Sequence, residues 1–95
     1  MKAYVIERDL PEIGAADDED LAAAARKSNA VLAQLAPRIQ WQHSYVTGDR
    51  IYCVYLAEDE DVIREHARIS GFPATKIAAI AVRIDPTTAE HRVPA

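Results

Sequence analysis

The stretch RIQWQHSYVTGDRIYCVYLA, residues 38–57, decides the fold. Its first half alternates in two-residue steps, TGD (47–49) supplies turn chemistry, and RIYCVYLA is almost unbroken β-former, so the segment reads as a β-hairpin. With Gly48-Asp49 as a two-residue turn, or Thr47 to Arg50 as a four-residue loop, Val46 stands opposite Ile51, Ser44 beside Cys53 and His43 beside Val54. A three-residue loop would set His43 against Cys53 instead. The first register is preferred because Gly at the first central position suits a type II′ turn, and a one-residue slip would turn every side chain to the wrong face. That register puts Ser44, Cys53 and Tyr55 on one surface and Trp41, His43, Tyr45, Tyr52, Val54 and Leu56 on the other. Small residues let helices sit close, so the second set is expected to face away from them.

Working outward, AYVIERD (3–9) is a strand that runs into LPEIG, where Pro11 and Gly14 break regular structure. Acids crowd the start of the next segment, where they oppose the positive end of a helix dipole. Leu21, Ala25, Ser28, Val31, Leu32 and Leu35 follow at helical spacing until Pro37, which predicts an amphipathic helix over roughly 18–36. EDEDVIREHARISGFP (58–73) repeats the pattern, with Val62, Ile63, Ala67 and Ser70 on one face. Gly71 at C′ and Phe72 at C″ predict a Schellman stop. TKIAAIAVRI (75–84) is the last strand, and 86–95 is a polar tail expected to be loosely held outside a domain spanning 1–85.

The resulting order β-α-β-β-α-β is an α+β, ferredoxin-like arrangement: a four-stranded antiparallel sheet with two helices on one face. Both alternate sets of strand residues are apolar, Ala3/Val5 as well as Tyr4/Ile6, and Ile51/Cys53/Tyr55 as well as Tyr52/Val54/Leu56. A second copy of the chain is the simplest cover for the face without helices, which predicts a homodimer packed sheet to sheet.

Composition narrows the function. At 95 residues with a formal net charge of −4, the chain is one domain without the Lys/Arg stripe that binding phosphates would need, so nucleic acid is not an expected partner. The run AYVI is too short for a signal-peptide core and no membrane span is expected. One cysteine cannot form an intrachain disulfide, which fits a reducing, cytoplasmic setting.

YVIERDLP, SYVTGDRIYCVYLA, IREHARISGFPATKI and RIDPTT resemble, in order and spacing, a bacterial family of small ferredoxin-like proteins catalogued as a domain of unknown function, whose best-known type is a nickel-responsive or nickel-binding dimer. The resemblance spans almost the whole chain. It implies a dimeric α+β barrel-like assembly and a non-enzymatic protein that binds nickel or another divalent transition metal.

His43, His66 and His91 fall on three different elements and none has an HxxxH or CxxC partner, so any metal site must be assembled in three dimensions or across a dimer. Imidazole with carboxylate or thiolate donors would suit nickel, and the candidate ligands are His43, Glu7, Cys53 and His66, with Glu65 near the last. Each also has a plainer reading. His66 borders the apolar stripe of its helix, Cys53 is a small mid-strand hydrophobe with no neighbouring cation to favour thiolate, Glu7 ends a solvated strand, and Trp41, Tyr45 and Tyr52 pack across strands. The same three aromatics could line a dimer cavity around His43. Two rival readings follow: a small-molecule binder or cofactor-free enzyme of the dimeric α+β barrel type, with His43 suited to acid–base work, and an interaction module without ligand. No nucleotide, flavin or haem motif is present, and no catalytic residue is assigned.

Overall fold

Two aspartates start the helices. Asp17 Oδ1 accepts from the Asp20 N–H (2.8 Å) and the Asp20 carboxylate accepts from the Asp17 N–H (3.4 Å), a reciprocal cap. Asp59 Oδ1 accepts from Val62 N–H at 2.9 Å. In the computed structural model, which describes residues 1–90, the elements are β1 (Lys2–Asp9), α1 (Asp18–Leu35), β2 (Ile39–Val46), β3 (Arg50–Ala57), α2 (Glu60–Ser70) and β4 (Lys76–Ala79), with 3₁₀ turns at Ile13–Ala15 and Pro86–Glu90. The strands form one antiparallel sheet in the order β2-β3-β1-β4, as the ferredoxin-like reading requires. Among the described residues no helix is long and apolar enough to cross a membrane.

Tyr4, Ile6, Cys53, Tyr55 and Ala57 point from the sheet to the core, where they meet Val62 and Ile63 of α2, and Leu32 and Leu35 of α1 pack against the cluster. Val62 and Ile63 have no exposed surface. Burial of side chains of this size contributes about 1.5–3 kcal/mol each. Both helices therefore lie on one face, and among the described residues no helix covers the face bearing Ala3, Val5, Val54, Leu56 and Ala78.

The hairpin has the expected register, Val46 opposite Ile51, Ser44 opposite Cys53 and His43 opposite Val54. It departs from expectation one step further on. A β-bulge between Trp41 and His43 sets Trp41 opposite Tyr55, so the extra residue, Gln42, inverts the phase of the strand. Trp41 consequently packs on the helix side and donates from Nε1 to Ser44 Oγ at 2.9 Å, not on the open face where strict alternation places it. The turn is also buttressed: the Gly14 N–H donates to Gly48 O at 3.0 Å, and a Cβ at Gly14 would lie 2.8 Å from both Gly48 Cα and Thr47 O.

Two smaller corrections concern chain ends. Gly71 takes the left-handed conformation (φ 81°) and its N–H donates to Ala67 O at 2.9 Å, but Phe72 N–H goes to Ser70 Oγ, so the stop is the simpler single-bond αL motif and not a Schellman pair. The last strand ends at Ala79, with one further bond from Ile80 N–H to Ala3 O, instead of reaching Ile84. Val82 and Ile84 lie beyond the paired segment and are left about three-quarters exposed. Of the predicted tail, 86–90 forms the second 3₁₀ turn, while 91–95, including His91, lies outside the described residues.

Candidate functional site

The sheet divides the expected ligand set in two. Alternation along β1 sends Tyr4, Ile6 and Arg8 to the helix side and Ala3, Val5 and Glu7 to the open face. Glu7, opposite Tyr52, and His43, opposite Val54, therefore share the open face, whereas Cys53 and His66 are buried beneath the helices. Among the described residues no three His, Cys, Asp or Glu side chains come together as a metal-holding group.

On the open face, adjacent cross-strand rows read Tyr45–Tyr52–Glu7–Lys76 and His43–Val54–Val5–Ala78. His43 is exposed and meets Tyr45 edge to face, with ring centroids 5.3 Å apart and planes at 74°. Tyr45 is 62% exposed. Glu7 already faces two cations, Arg50 Nη1 at 3.2 Å and Lys76 Nζ at 3.9 Å, which compete with any metal for its oxygens. Among the described residues His43 is thus the imidazole of this face, with Tyr45 and Tyr52 on the same face.

Under the helices the chemistry differs. The His66 ring has no exposed surface; its Nε2 lies 3.1 Å from Ser28 Oγ and its Nδ1 has no partner. Burial, and then the positive charge of Arg8, push its pKa down to about 4, so it is neutral near pH 7 and acts as part of the packing. Its neighbour Tyr55, 5.7 Å away between ring centroids, is pushed above its ordinary pKa by burial, against the opposing pull of the Arg8 guanidinium. Cys53 is buried and reduced. Glu65 on α2 is bound to Arg68, Nε to Oε2 at 3.0 Å, which holds its carboxyl below the usual range.

Arg8 is the residue that motif reasoning passed over. It is 3% exposed, donating from Nη1 to Phe72 O (3.3 Å) and Pro73 O (2.9 Å) and from Nη2 to Tyr55 Oη (3.3 Å). The signal was present in the sequence: Tyr4, Ile6 and Arg8 fall on one two-residue period, which carries a guanidinium inward. A cavity of about 330 Å³ opens beside it, between α1 and the helix side of β2 and β3, with Trp41, Ser44, Cys53 and Tyr55 in its walls.

Comparisons with known proteins bear on the fold and the family. A family model described as "Nickel responsive protein SCO4226-like" matches residues 4–80. A search of curated proteins gives no match. The crystal structure of SCO4226 from Streptomyces coelicolor A3(2) matches with a TM-score of 0.72 over 86% of this chain and 99% of that one, at 13% sequence identity, a likeness of fold.

Proposed function

This chain belongs to the nickel responsive SCO4226-like family, and on that premise we propose that it is a non-enzymatic homodimer that binds a nickel-type divalent cation through His43 in a sheet-to-sheet interface. The observation that carries the reading is the position of His43, an exposed imidazole on the one sheet face that has apolar residues and no helix over it. Burying such a face is favourable at roughly 25 cal/mol per Å² of apolar surface, which supports a second copy as its cover. A two-fold axis would also duplicate every donor on the face. Among the described residues one chain supplies a single uncommitted imidazole there, and two chains would supply two, toward the four to six donors such a cation takes. Cys53 and His66 do not enter this site, because the sheet stands between them and His43.

Titration of Ni²⁺ into tag-free protein by calorimetry at about pH 7.5, paired with sedimentation velocity, tests both halves. The expected outcome is saturable binding to a dimer, with at least about tenfold weaker affinity in His43→Ala while the fold is retained. A stable monomer at micromolar concentration would remove the dimer, and unchanged affinity in folded His43→Ala would remove the ligand.

A further inference from the structure

The cavity under α1 has the chemistry of a site. Its walls are largely apolar, with Leu21 and Ala25 from α1 facing Trp41 and Ile51 of the sheet, and they include Arg8, whose guanidinium is bound to the Tyr55 hydroxyl and the Phe72 carbonyl of two other wall residues. A buried guanidinium is costly unless its charge and its donors are matched. Arg8 carries five N–H donors. Three are used on two carbonyls and the Tyr55 hydroxyl. All three acceptors are neutral, and among the described residues no carboxylate lies within ion-pair distance of it. Both Nη atoms have acceptors, but among the described residues no hydrogen bond reaches Nε and no anion meets the unit charge; only the Tyr55 ring, 5.9 Å from Cζ, partly offsets it, at 3% exposure beside an apolar space.

We propose that this cavity binds a small monocarboxylic acid with an apolar body, its carboxylate paired with Arg8 and its body lying between α1 and Trp41. A carboxylate is the match for a planar guanidinium with free N–H donors, since it accepts them along parallel lines and cancels one charge. The walls ask for the rest of the ligand to be hydrocarbon, because a second charge or a polar chain would lose its water there without a partner. Size sets the class further. At about 30 Å³ per water-sized group, the space of about 330 Å³ holds roughly ten non-hydrogen atoms. That is a medium-length fatty acid or an aryl alkanoic acid, and it excludes a peptide segment. The site is independent of His43, which lies across the sheet.

Trp41 is the only tryptophan of the chain and stands in the cavity wall, so its fluorescence reports occupancy directly. The probes are sodium octanoate and its uncharged counterpart 1-octanol, titrated against wild type, Arg8→Gln and Ala25→Leu. Ala25→Leu adds a branched side chain to a cavity-facing position of α1 without disturbing helix propensity. Octanoate is expected to give a saturable change, octanol to bind at least about tenfold more weakly, and Arg8→Gln to weaken octanoate by about tenfold or more. Ala25→Leu should abolish the change. If Arg8→Gln does not fold, the octanol comparison and Ala25→Leu decide the matter. Absence of a saturable change, equal binding of octanol, or undiminished octanoate binding by Ala25→Leu would each overturn the proposal; the last would move the fatty chain to the open sheet face.

Discussion

Acidification should destabilise this protein through one side chain, His66. Its ring meets Ser28 of α1, Tyr55 of β3 and the fixed charge of Arg8 on β1, and among the described residues no carboxylate is paired with it. The pKa falls from an ordinary 6.5 in the unfolded chain to about 4 in the folded one. A folded pKa below the unfolded value means that between these limits the unfolded chain binds the proton and the folded chain does not. Stability is therefore full above about pH 6.5 and declines as pH falls toward 4. The gap of about 2.5 pH units, at about 1.36 kcal/mol each, sets a total of about 3 kcal/mol, of which about 2 kcal/mol is lost by pH 5. Urea unfolding of wild type and His66→Gln at one protein concentration, in steps from about pH 7.5 to 5, measures it. The amide keeps a partner for Ser28 but does not titrate, and the other histidines are common to both proteins. Tyr55, already raised above its ordinary value, is silent throughout this window. The wild-type curve should fall toward that of the variant by about 2 kcal/mol. Parallel curves would refute the reasoning, since they would mean that the buried ring takes up its proton as readily as a solvated one.

Two further expectations concern local structure. Gly14→Ala should cost more than about 1 kcal/mol in urea unfolding, because the new Cβ meets hairpin backbone at 2.8 Å and that backbone cannot rotate away; a neutral effect would show that the loop lifts freely from the turn. Asp59→Ala should cost about 1 kcal/mol by removing the acceptor for Val62 N–H, with Asp59→Ser recovering most of it; equal losses in both would assign the effect to something other than the cap.

The legible and illegible parts of the fold differ by physical cause. Helix starts were readable because acids before an apolar stripe have one local meaning, and the hairpin register was readable from the apolar alternation; the type II′ turn invoked for it does not form, since Gly48 does not take the positive φ that its first central position requires. The bulge at Gln42 was not, since an extra residue leaves composition and alternation looking ordinary while reversing which way Trp41 points. The end of β4 was hidden for a different reason. IAVRI is as β-prone as IAAI, so β-propensity alone does not mark where pairing with β1 ends. Alternation along the strands anticipated that His43, Tyr45 and Tyr52 share the open sheet face. Separating Cys53 and His66 from His43 required knowing which face the helices cover, and Arg8 was overlooked because a charge near a strand end reads as solvated.

The bulge has one more consequence, for how the molecule avoids sticking to itself. β2 is an edge strand, with only β3 beside it, and a free edge is a template on which further chains can add. Regular addition needs an unbroken ladder of outward N–H and C=O groups at even spacing. The irregularity at Gln42 interrupts that ladder midway along an eight-residue strand and increases its local twist. At the opposite border β4 is only four residues long and begins with Lys76. Neither border presents the long, flat strand that open-ended polymerisation requires.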